Sequence, residues 1–214
     1  MNNLKIPKKV ALFGGTFNPF HKAHINIIIN TLETKIVDEI WIMPAYKPYH
    51  KDSNENFILD FDNRIKLINI SIDSLKKYRN KIKLFDIEEE LYKKNIIKNS
   101  YTNIILDYIF EKFPNIDFYF LLGSDSIYSI NTWYNYKEII KKTKFIIYKR
   151  DKDIDKLKKE IEFLNIKSNI IDNDIYDISS TTIRKYLKNK SYDEVKEFLI
   201  NEELEYIKKN KLYE

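Results

Sequence analysis

Residues 10–24 read VALFGGTFNPFHKAH, and this stretch decides the fold. Val10–Phe13 is a short apolar run of the kind that forms a buried strand, and the glycines Gly14 and Gly15 follow it at once. The residues Ala23–Leu32 then have helical periodicity. A strand that passes through a glycine turn into a helix is the first unit of an α/β fold, and the free N–H groups at such a helix start face anions.

The same alternation of short apolar runs and helical segments continues along the chain. Strands are predicted at Val10–Phe13, Glu39–Met43, Ile82–Asp86, Asp117–Leu122, Lys144–Tyr148 and Asn169–Asp172. Helices are predicted at Ala23–Leu32, Asp62–Tyr78, Thr102–Phe113, Asp155–Leu164, Ser180–Leu187, Tyr192–Leu199 and Glu202–Lys209. This pattern predicts an α/β protein with a single Rossmann-like, mainly parallel sheet, helices on both faces and a small C-terminal helical subdomain. We place the domain boundary between residues 1–190 and a helical extension, 191–214, packed on that domain.

The composition excludes several classes of protein. With 43% hydrophobic and 32% charged residues among 214, the chain has the composition of a folded globular protein. It contains no cysteine, which excludes disulfides, thiolate metal sites and a cysteine nucleophile. No apolar run approaches the ~20 residues that span a membrane, and no signal peptide is apparent. We therefore expect a cytoplasmic protein that does not bind membranes, and a nuclear location is left open.

The net charge of +5 suits an anionic partner. Lysines alternate with acidic residues, as in the segment Lys156–Glu162, which is typical of solvated helix faces. No nucleic-acid-binding signature accompanies the charge, so nucleotide phosphates are the simpler partners and we expect no nucleic acid. A basic nucleic-acid-binding module remains an alternative that would explain the charge, but it would not explain the placement of the rare residues.

Rare residues mark the ends of predicted strands. The only three glycines each follow a strand, and the only three histidines lie in the first two loops after strands; they are Gly14, Gly15, Gly123, His21, His24 and His50. We expect these glycines to adopt positive φ or to bring the backbone close to a ligand. Ligands of open parallel sheets bind at the carboxyl ends of strands, so these residues indicate a site there.

Two segments carry candidate chemistry. His21 and His24 are three residues apart, which places both rings on one helical face and within reach of one phosphate. A zinc site is the rival interpretation, but no carboxylate or thiolate ligand is patterned nearby, so we predict no metal held by the protein. Near the other end, Ser180 and Thr181 begin a helix, and Arg184 one turn later can reach a phosphate held at that helix start.

Both segments resemble motifs of the nucleotidyltransferase superfamily. Residues 14–24 are similar to Gly-Gly-Thr-Phe-Asp-Pro-x-His-x-Gly-His, and residues 178–184 to Ile-Ser-Ser-Thr-x-Ile-Arg, in the same order. Asn18 replaces the usual Asp, and Ala23 replaces a Gly. The sequence leaves open the effect of the replacement at position 18. The resemblance implies His21, His24 and Arg184 as catalytic residues. It implies that ATP is bound by Gly14, Gly15, Thr16, Phe17, Gly123, Asp125, Ser180 and Thr181.

Three further stretches resemble the bacterial nicotinate-nucleotide (nicotinamide-nucleotide) adenylyltransferases. They are the Pro-Tyr-His-Lys segment at 48–51, the Ser-Tyr-Thr segment at 100–102, and the Gly-Ser-Asp segment at 123–125 with a tryptophan downstream. The resemblance extends from Val10 to Leu187. It implies that the mononucleotide is bound by Lys51, Tyr101, Thr102 and Trp133.

The implied activity is adenylyl transfer from ATP to nicotinate mononucleotide in NAD biosynthesis, which yields nicotinate adenine dinucleotide and pyrophosphate. Mg²⁺ is the implied cofactor, accompanying ATP. Pantetheine-phosphate adenylyltransferases share the first motif and remain an alternative, although they are shorter and lack the tryptophan and Ser-Tyr-Thr segments. The sequence leaves open the use of nicotinamide mononucleotide, the preferred metal, homo-oligomer formation and the role of the terminal helices.

Overall fold

The computed structural model describes residues 9–48, 57–150, 153–171 and 178–213. Its six strands form one sheet in the order β3-β2-β1-β4-β5-β6, and every neighbouring pair is parallel. The strands are β1 Lys9–Gly15, β2 Glu39–Pro44, β3 Ile82–Leu84, β4 Asp117–Gly123, β5 Lys144–Tyr148 and β6 Ser168–Ile171. The strand order reverses between β1 and β4, which is where open parallel sheets bind ligands.

The helices connect and cover these strands. They are α1 Lys22–Glu33, α2 Phe61–Ser74, α3 Ile87–Lys93, α4 Thr102–Lys112, α5 Ser124–Ser129, α6 Tyr136–Lys142, α7 Ile154–Phe163, α8 Ser180–Lys188, α9 Tyr192–Val195 and α10 Asn201–Lys209. None of the helices in the described ranges is long and apolar enough to cross a membrane.

The two faces of the sheet are covered by different helices, as the strand pattern predicts. On β1, Val10 and Leu12 point into one buried cluster, which includes residues of α3 to α7. Ala11 and Phe13 point into the opposite cluster, which includes residues of α1 and α2. Successive side chains of a strand alternate between faces, so a strand buried on both sides is apolar throughout. The predicted fold class is confirmed.

The C-terminal helices pack against α1 and α2. Ile183 and Leu187 of α8, Val195 of α9 and Leu204 of α10 form a third buried cluster with Ala23 of α1. The backbone N–H of Lys22 also donates a hydrogen bond to the carbonyl oxygen of Phe198, at 2.9 Å. The start of α1 is therefore held by the segment between α9 and α10, while the domain boundary at residue 190 stays a prediction.

Several predicted element bounds are wrong. Helix α2 ends at Ser74 rather than Tyr78, and the predicted helix Tyr192–Leu199 contains only the short α9. Strand β3 ends at Leu84, and the predicted end of β6, Asp172, lies outside the described residues. Helices α3, α5 and α6 were not predicted, because six or seven residues make at most two turns and give little periodic signal.

Candidate active site

A cavity of about 340 Å³ opens at the carboxyl ends of β1, β2 and β4. Six of the predicted site residues line it, together with an apolar floor. The predicted residues are Gly14, Gly15, Thr16, Tyr101, Thr102 and Trp133, and the floor includes Met43, Ile105, Leu106, Phe120 and Leu122. The structure therefore joins the first motif to the Ser-Tyr-Thr and tryptophan segments around one space.

The glycines do not have the positive φ that the sequence suggested as one reason for them. None of the three has positive φ, whereas Phe17 does, with φ of 49°. A Cβ at Gly15 would lie 2.8 Å from the ring of Phe17, and a Cβ at Gly123 would collide with the side chain of Asp125. At Gly15 the neighbour is the buried ring of Phe17, so close packing favours glycine there, whereas at Gly123 the neighbour is the end of the exposed Asp125 side chain, which can move aside.

His21 and His24 meet ring to ring at the start of α1. Their ring centroids are 3.8 Å apart, and both side chains are buried. The backbone N–H of His21 donates to Nδ1 of His24 at 3.2 Å, so the proton of a neutral His24 ring lies on Nε2. The His24 ring packs against Phe17 and Phe20, with centroids 5.1 and 4.9 Å away. The pair lies behind the glycine turn, outside the lining of the cavity itself.

Both rings are neutral in the free protein. Burial, followed by the charge of Arg150, lowers the pKa of His21 to about 3. Burial, then His21, then Arg150 hold the pKa of His24 well below its usual value. Nδ1 of His21 is buried and has no hydrogen-bond partner within the described parts of the chain. The pair can therefore offer a phosphate neutral N–H donors rather than a positive charge.

Arg150, which was not predicted from the sequence, supplies the positive charge beside the histidines. It lies two residues after the end of β5, and its backbone N–H donates to Oγ of Ser124 at 3.0 Å. Its Nε lies 3.8 Å from Oδ1 of Asp125, so the predicted ATP-binding Asp125 forms an ion pair with it. Two consecutive cations, Lys149 and Arg150, follow the predicted strand Lys144–Tyr148, and this was the signal that could have identified Arg150.

The second motif folds onto the first. Ser179, rather than Ser180 or Thr181, caps α8, because its Oγ accepts the N–H of Thr182 at 3.1 Å. Oγ of Ser180 instead donates to the carbonyl oxygen of Pro19, also at 3.1 Å. Hydrogen bonds therefore join the two motifs, which lie about 160 residues apart in the sequence.

Arg184 is held between the two motifs. Its Nη1 donates to the carbonyl oxygen of Asn18 at 2.9 Å, and its Nη2 donates to Oγ1 of Thr181 at 3.1 Å. The side chain is half-buried, and burial lowers the pKa of its guanidinium from the usual value. A charge placed by two fixed hydrogen bonds is well oriented for a phosphate at this edge of the sheet.

Asn18 has a structural role that needs no charge. Its Oδ1 accepts hydrogen bonds from the N–H of Leu59 and the hydroxyl of Tyr213, at 3.2 and 2.9 Å. Its Nδ2 donates to the carbonyl oxygen of Phe57 at 2.8 Å. The substitution of Asn for the usual Asp thus retains the oxygen acceptor and adds a donor that the loop uses.

A fully buried arginine, Arg64, holds the same turn from the α2 side. Its guanidinium donates to the carbonyl oxygens of Thr16, Tyr46 and Leu59, at 2.8, 3.2 and 3.1 Å. Three backbone carbonyls, from the β1–α1 and β2–α2 connections, are therefore tied to one side chain. Arg64 was not predicted from the sequence, because nothing in a helical pattern distinguishes a buried arginine from an exposed one.

The predicted mononucleotide-binding residues lie at one end of the cavity. Tyr101 precedes the first turn of α4, its ring centroid lies 4.7 Å from that of Tyr134 with the two planes tilted by 31°, and Thr102 begins the helix. Trp133 faces Phe120 edge-on at 6.1 Å and leaves part of its ring exposed to the cavity. Glu88, which was not predicted, also lines the cavity and accepts the N–H of Tyr46 at 3.0 Å; burial raises the pKa of its carboxyl.

Two predictions, the role of Lys51 and the absence of a metal held by the protein, remain predictions. Lys51, predicted to bind the mononucleotide, lies outside the described residues, as does His50. For metals, the described ranges contain no group of three or more His, Asp or Glu side chains that could hold an ion.

Known proteins are similar to this chain in sequence and in fold. The cytidylyltransferase-like family profile matches residues 12–186. A relative from Clostridium acetobutylicum, a probable nicotinate-nucleotide adenylyltransferase, is 34% identical over 212 residues, which cover 96% of this chain and 99% of the relative.

Solved structures agree with the sequence relatives. The Plasmodium falciparum nicotinic acid mononucleotide adenylyltransferase complexed with NaAD superimposes with a TM-score of 0.80 at 26% identity, over 96% of this chain and 97% of that one. The structure of the same protein complexed with APC gives a TM-score of 0.79 at 25% identity, over the same shares of the two chains.

Proposed function

Because the chain belongs to the cytidylyltransferase-like family and, within it, to the nicotinate-nucleotide adenylyltransferases, we infer that it transfers the adenylyl group of ATP to nicotinate mononucleotide. The products are nicotinate adenine dinucleotide and pyrophosphate, so the reaction serves NAD biosynthesis. The observation that carries this proposal is the cavity in which the glycine turn of the first motif meets Tyr101, Thr102 and Trp133.

The chemistry requires orientation and charge stabilisation rather than a side-chain nucleophile. An oxygen of the mononucleotide phosphate attacks the α-phosphorus of ATP, a new P–O bond forms, and the bond to the bridging oxygen of the β-phosphate breaks. The attacking phosphate is already ionised, so no general base is needed. Catalysis then depends on in-line positioning and on stabilising the charge that develops on the transferring phosphoryl oxygens.

We assign that stabilisation to the histidine pair and its neighbouring cation. The Nε2–H of His24 is a fixed, desolvated donor, and such donors are strongest when charge develops in the transition state. The His21 ring lies against the His24 ring, and Arg150 adds a positive charge close enough to lower the pKa of both rings. An arriving triphosphate would find neutral donors and one cation.

We assign binding of the departing pyrophosphate to the second motif. Arg184 and the start of α8, with Ser180 and Thr181, would hold the β and γ phosphates, since a helix start and a guanidinium both favour an anion. Gly14, Gly15, Thr16 and Phe17 would place backbone against the nucleotide, and Gly123 with Asp125 would contact the adenosine. Mg²⁺ would arrive on ATP, where it neutralises phosphate oxygens while retaining several waters.

The mononucleotide would occupy the cavity. The exposed part of Trp133 offers a face for the pyridine ring, and the free N–H groups at the start of α4, near Tyr101 and Thr102, offer donors for its carboxylate. Lys51 would add positive charge near the mononucleotide phosphate. Charge-assisted hydrogen bonds favour the acid over the amide, so nicotinate mononucleotide should exceed nicotinamide mononucleotide about 10- to 150-fold in kcat/KM.

Parallel initial-rate assays test the proposal. The purified protein is incubated with ATP and Mg²⁺, and with nicotinate mononucleotide, nicotinamide mononucleotide or phosphopantetheine as the acceptor. We expect dinucleotide and pyrophosphate only with the pyridine acceptors, and the acid preferred. Thr102→Ala should erode that preference more than it erodes turnover. Transfer to phosphopantetheine, or salt-dependent oligonucleotide binding without any transfer, would contradict the proposal.

A further inference from the structure

The end of the chain reaches the loop of the first motif. The hydroxyl of Tyr213 donates a hydrogen bond to Oδ1 of Asn18 at 2.9 Å, across a sequence separation of 195 residues. Both residues are almost fully buried, at 6% and 3% exposure. Asn18 lies three residues before His21, so the contact connects the C-terminal segment with the turn that carries the histidines.

Hydrogen bonds of Asn18 join four parts of the chain, namely the β1–α1 turn, residues 57–59, α8 and the C-terminal segment. Its side chain is bonded to the backbone of Phe57 and Leu59 as well as to Tyr213, and its own carbonyl oxygen accepts Nη1 of Arg184. The bonds to the Asn18 side chain therefore restrain the same residue whose backbone carbonyl binds Arg184. Buried hydrogen bonds of this kind hold a group in one orientation, because a broken bond cannot be replaced by water.

The surroundings of Tyr213 keep its hydroxyl in place as a donor. Its ring belongs to the third buried cluster, with Leu204 and Ile207 of α10. Helix α10 is itself fixed to α2, because the carboxyl of Glu203 hydrogen-bonds to the hydroxyl of Ser71. Burial raises the pKa of Tyr213 well above its usual value, so the hydroxyl stays protonated.

We propose that Tyr213 is a positioning residue for adenylyl transfer, whose hydroxyl orients Asn18 and, through the Asn18 carbonyl, the guanidinium of Arg184. The C-terminal helices then have a function in the reaction, since they carry Tyr213 to the site. The proposal rests on the proposed function, in which Arg184 holds the phosphates of ATP. It predicts that loss of one buried hydroxyl, remote in sequence from either motif, weakens the use of ATP.

Tyr213→Phe removes this hydroxyl and leaves the ring. A matched control exists on α10, where the hydroxyl of Tyr206 donates to Oδ1 of Asn63 at 2.8 Å, outside the cavity and both motifs. Initial rates give kcat and the KM for each substrate, at a temperature where melting curves show all variants folded. We expect Tyr213→Phe to lower kcat/KM for ATP ~10-fold while the KM for nicotinate mononucleotide changes less than about twofold. Tyr206→Phe should leave every constant within about twofold of the wild type.

A double-mutant cycle tests the route through Asn18. In an Asn18→Ala background the acceptor is gone, so adding Tyr213→Phe should cause no further loss of kcat/KM for ATP. In an Asn18→Asp background the acceptor is kept, and Tyr213→Phe should again cost ~10-fold. Equal losses from Tyr213→Phe in all three backgrounds would overturn the inference, as would a Tyr213→Phe loss no larger than that of Tyr206→Phe.

Calorimetric titration with ATP separates this inference from the proposed function. If the wild type transferred the adenylyl group to no acceptor, that result would count against the proposed function alone. Tyr213→Phe should weaken ATP binding in that case as well. Wild-type ATP affinity in Tyr213→Phe, together with wild-type kinetics, would remove Tyr213 from the site.

Discussion

At the scale of single residues, His24 illustrates how burial changes what a side chain can do. An exposed histidine would be partly protonated near neutral pH, but here burial and two neighbouring groups keep the ring neutral. One nitrogen is occupied by the backbone N–H of His21, which leaves the other as a donor. The spacing of the two histidines predicted that their rings meet. Burial determines that both rings are neutral when they do.

The role of His24 can be separated from its packing. His24→Phe keeps an aromatic ring beside Phe17 and Phe20 but removes the Nε2–H donor. We expect kcat to fall ~100-fold or more, with a much smaller change in the KM for nicotinate mononucleotide, because the lost bond strengthens as charge develops. Steady-state kinetics at saturating ATP measure both constants. If His24→Phe turned over at close to the wild-type rate while His24→Ala did not, the ring would matter for packing alone.

At the scale of elements, the β1–α1 turn is built by contact between its own side chains. Gly15 leaves room for the ring of Phe17, Phe17 lies against His24, and Asn18 and Pro19 receive bonds from α8. The turn is therefore packed on three sides before any ligand binds. A change of backbone shape at Gly15 would pass directly to the histidines.

Gly15→Ala tests this packing. The added Cβ would lie 2.8 Å from the Phe17 ring, so the ring must shift and carry His24 with it. We expect kcat/KM to fall ~10-fold or more, because displacement of a catalytic donor by a fraction of an ångström is costly. Gly14→Ala is the comparison, since its nearest neighbour would be 3.5 Å away and in ordinary contact. A loss for Gly15→Ala no greater than for Gly14→Ala would show that the contact with Phe17 is unimportant.

At the scale of the whole molecule, the C-terminal helices are attached through a buried acid. Glu203 of α10 is fully buried, its carboxyl hydrogen-bonds to Ser71 of α2, and it accepts the N–H of Ile200 at 3.1 Å. Burial is the largest influence on this carboxyl and raises its pKa from 4.5 to about 8. The folded protein therefore holds a proton here that the unfolded chain releases at neutral pH.

This proton makes stability depend on pH in a defined direction. Because the folded pKa is the higher one, the contribution of Glu203 is complete below pH 4.5 and is lost as the pH rises towards 8. Glu203→Gln stays neutral, so its melting temperature should exceed that of the wild type increasingly from pH 5 to pH 8. If the melting temperatures of the two proteins differed by the same amount at every pH in this range, the raised pKa of Glu203 would be refuted.

Local pattern was enough to predict the fold class, most elements and the two motifs. Alternating apolar runs and helical periods follow from short-range physics, so the strand cores, the long helices and the turn at Gly14 and Gly15 could be placed from sequence. The pattern failed at short helices such as α3, and at helix ends such as Ser74, where tertiary contacts decide the last turn.

What only the tertiary structure decided is which distant groups meet, and in what electrical state. Arg150, Arg64, Glu88 and Tyr213 look like ordinary residues in the sequence, because their importance depends on partners far away along the chain. The neutral histidine pair and the protonated Glu203 depend likewise on burial, which no local pattern encodes. Sequence determines the elements through interactions within a few residues, whereas the sheet order brings the ends of β1, β2 and β4 together and creates the environment in which their side chains act.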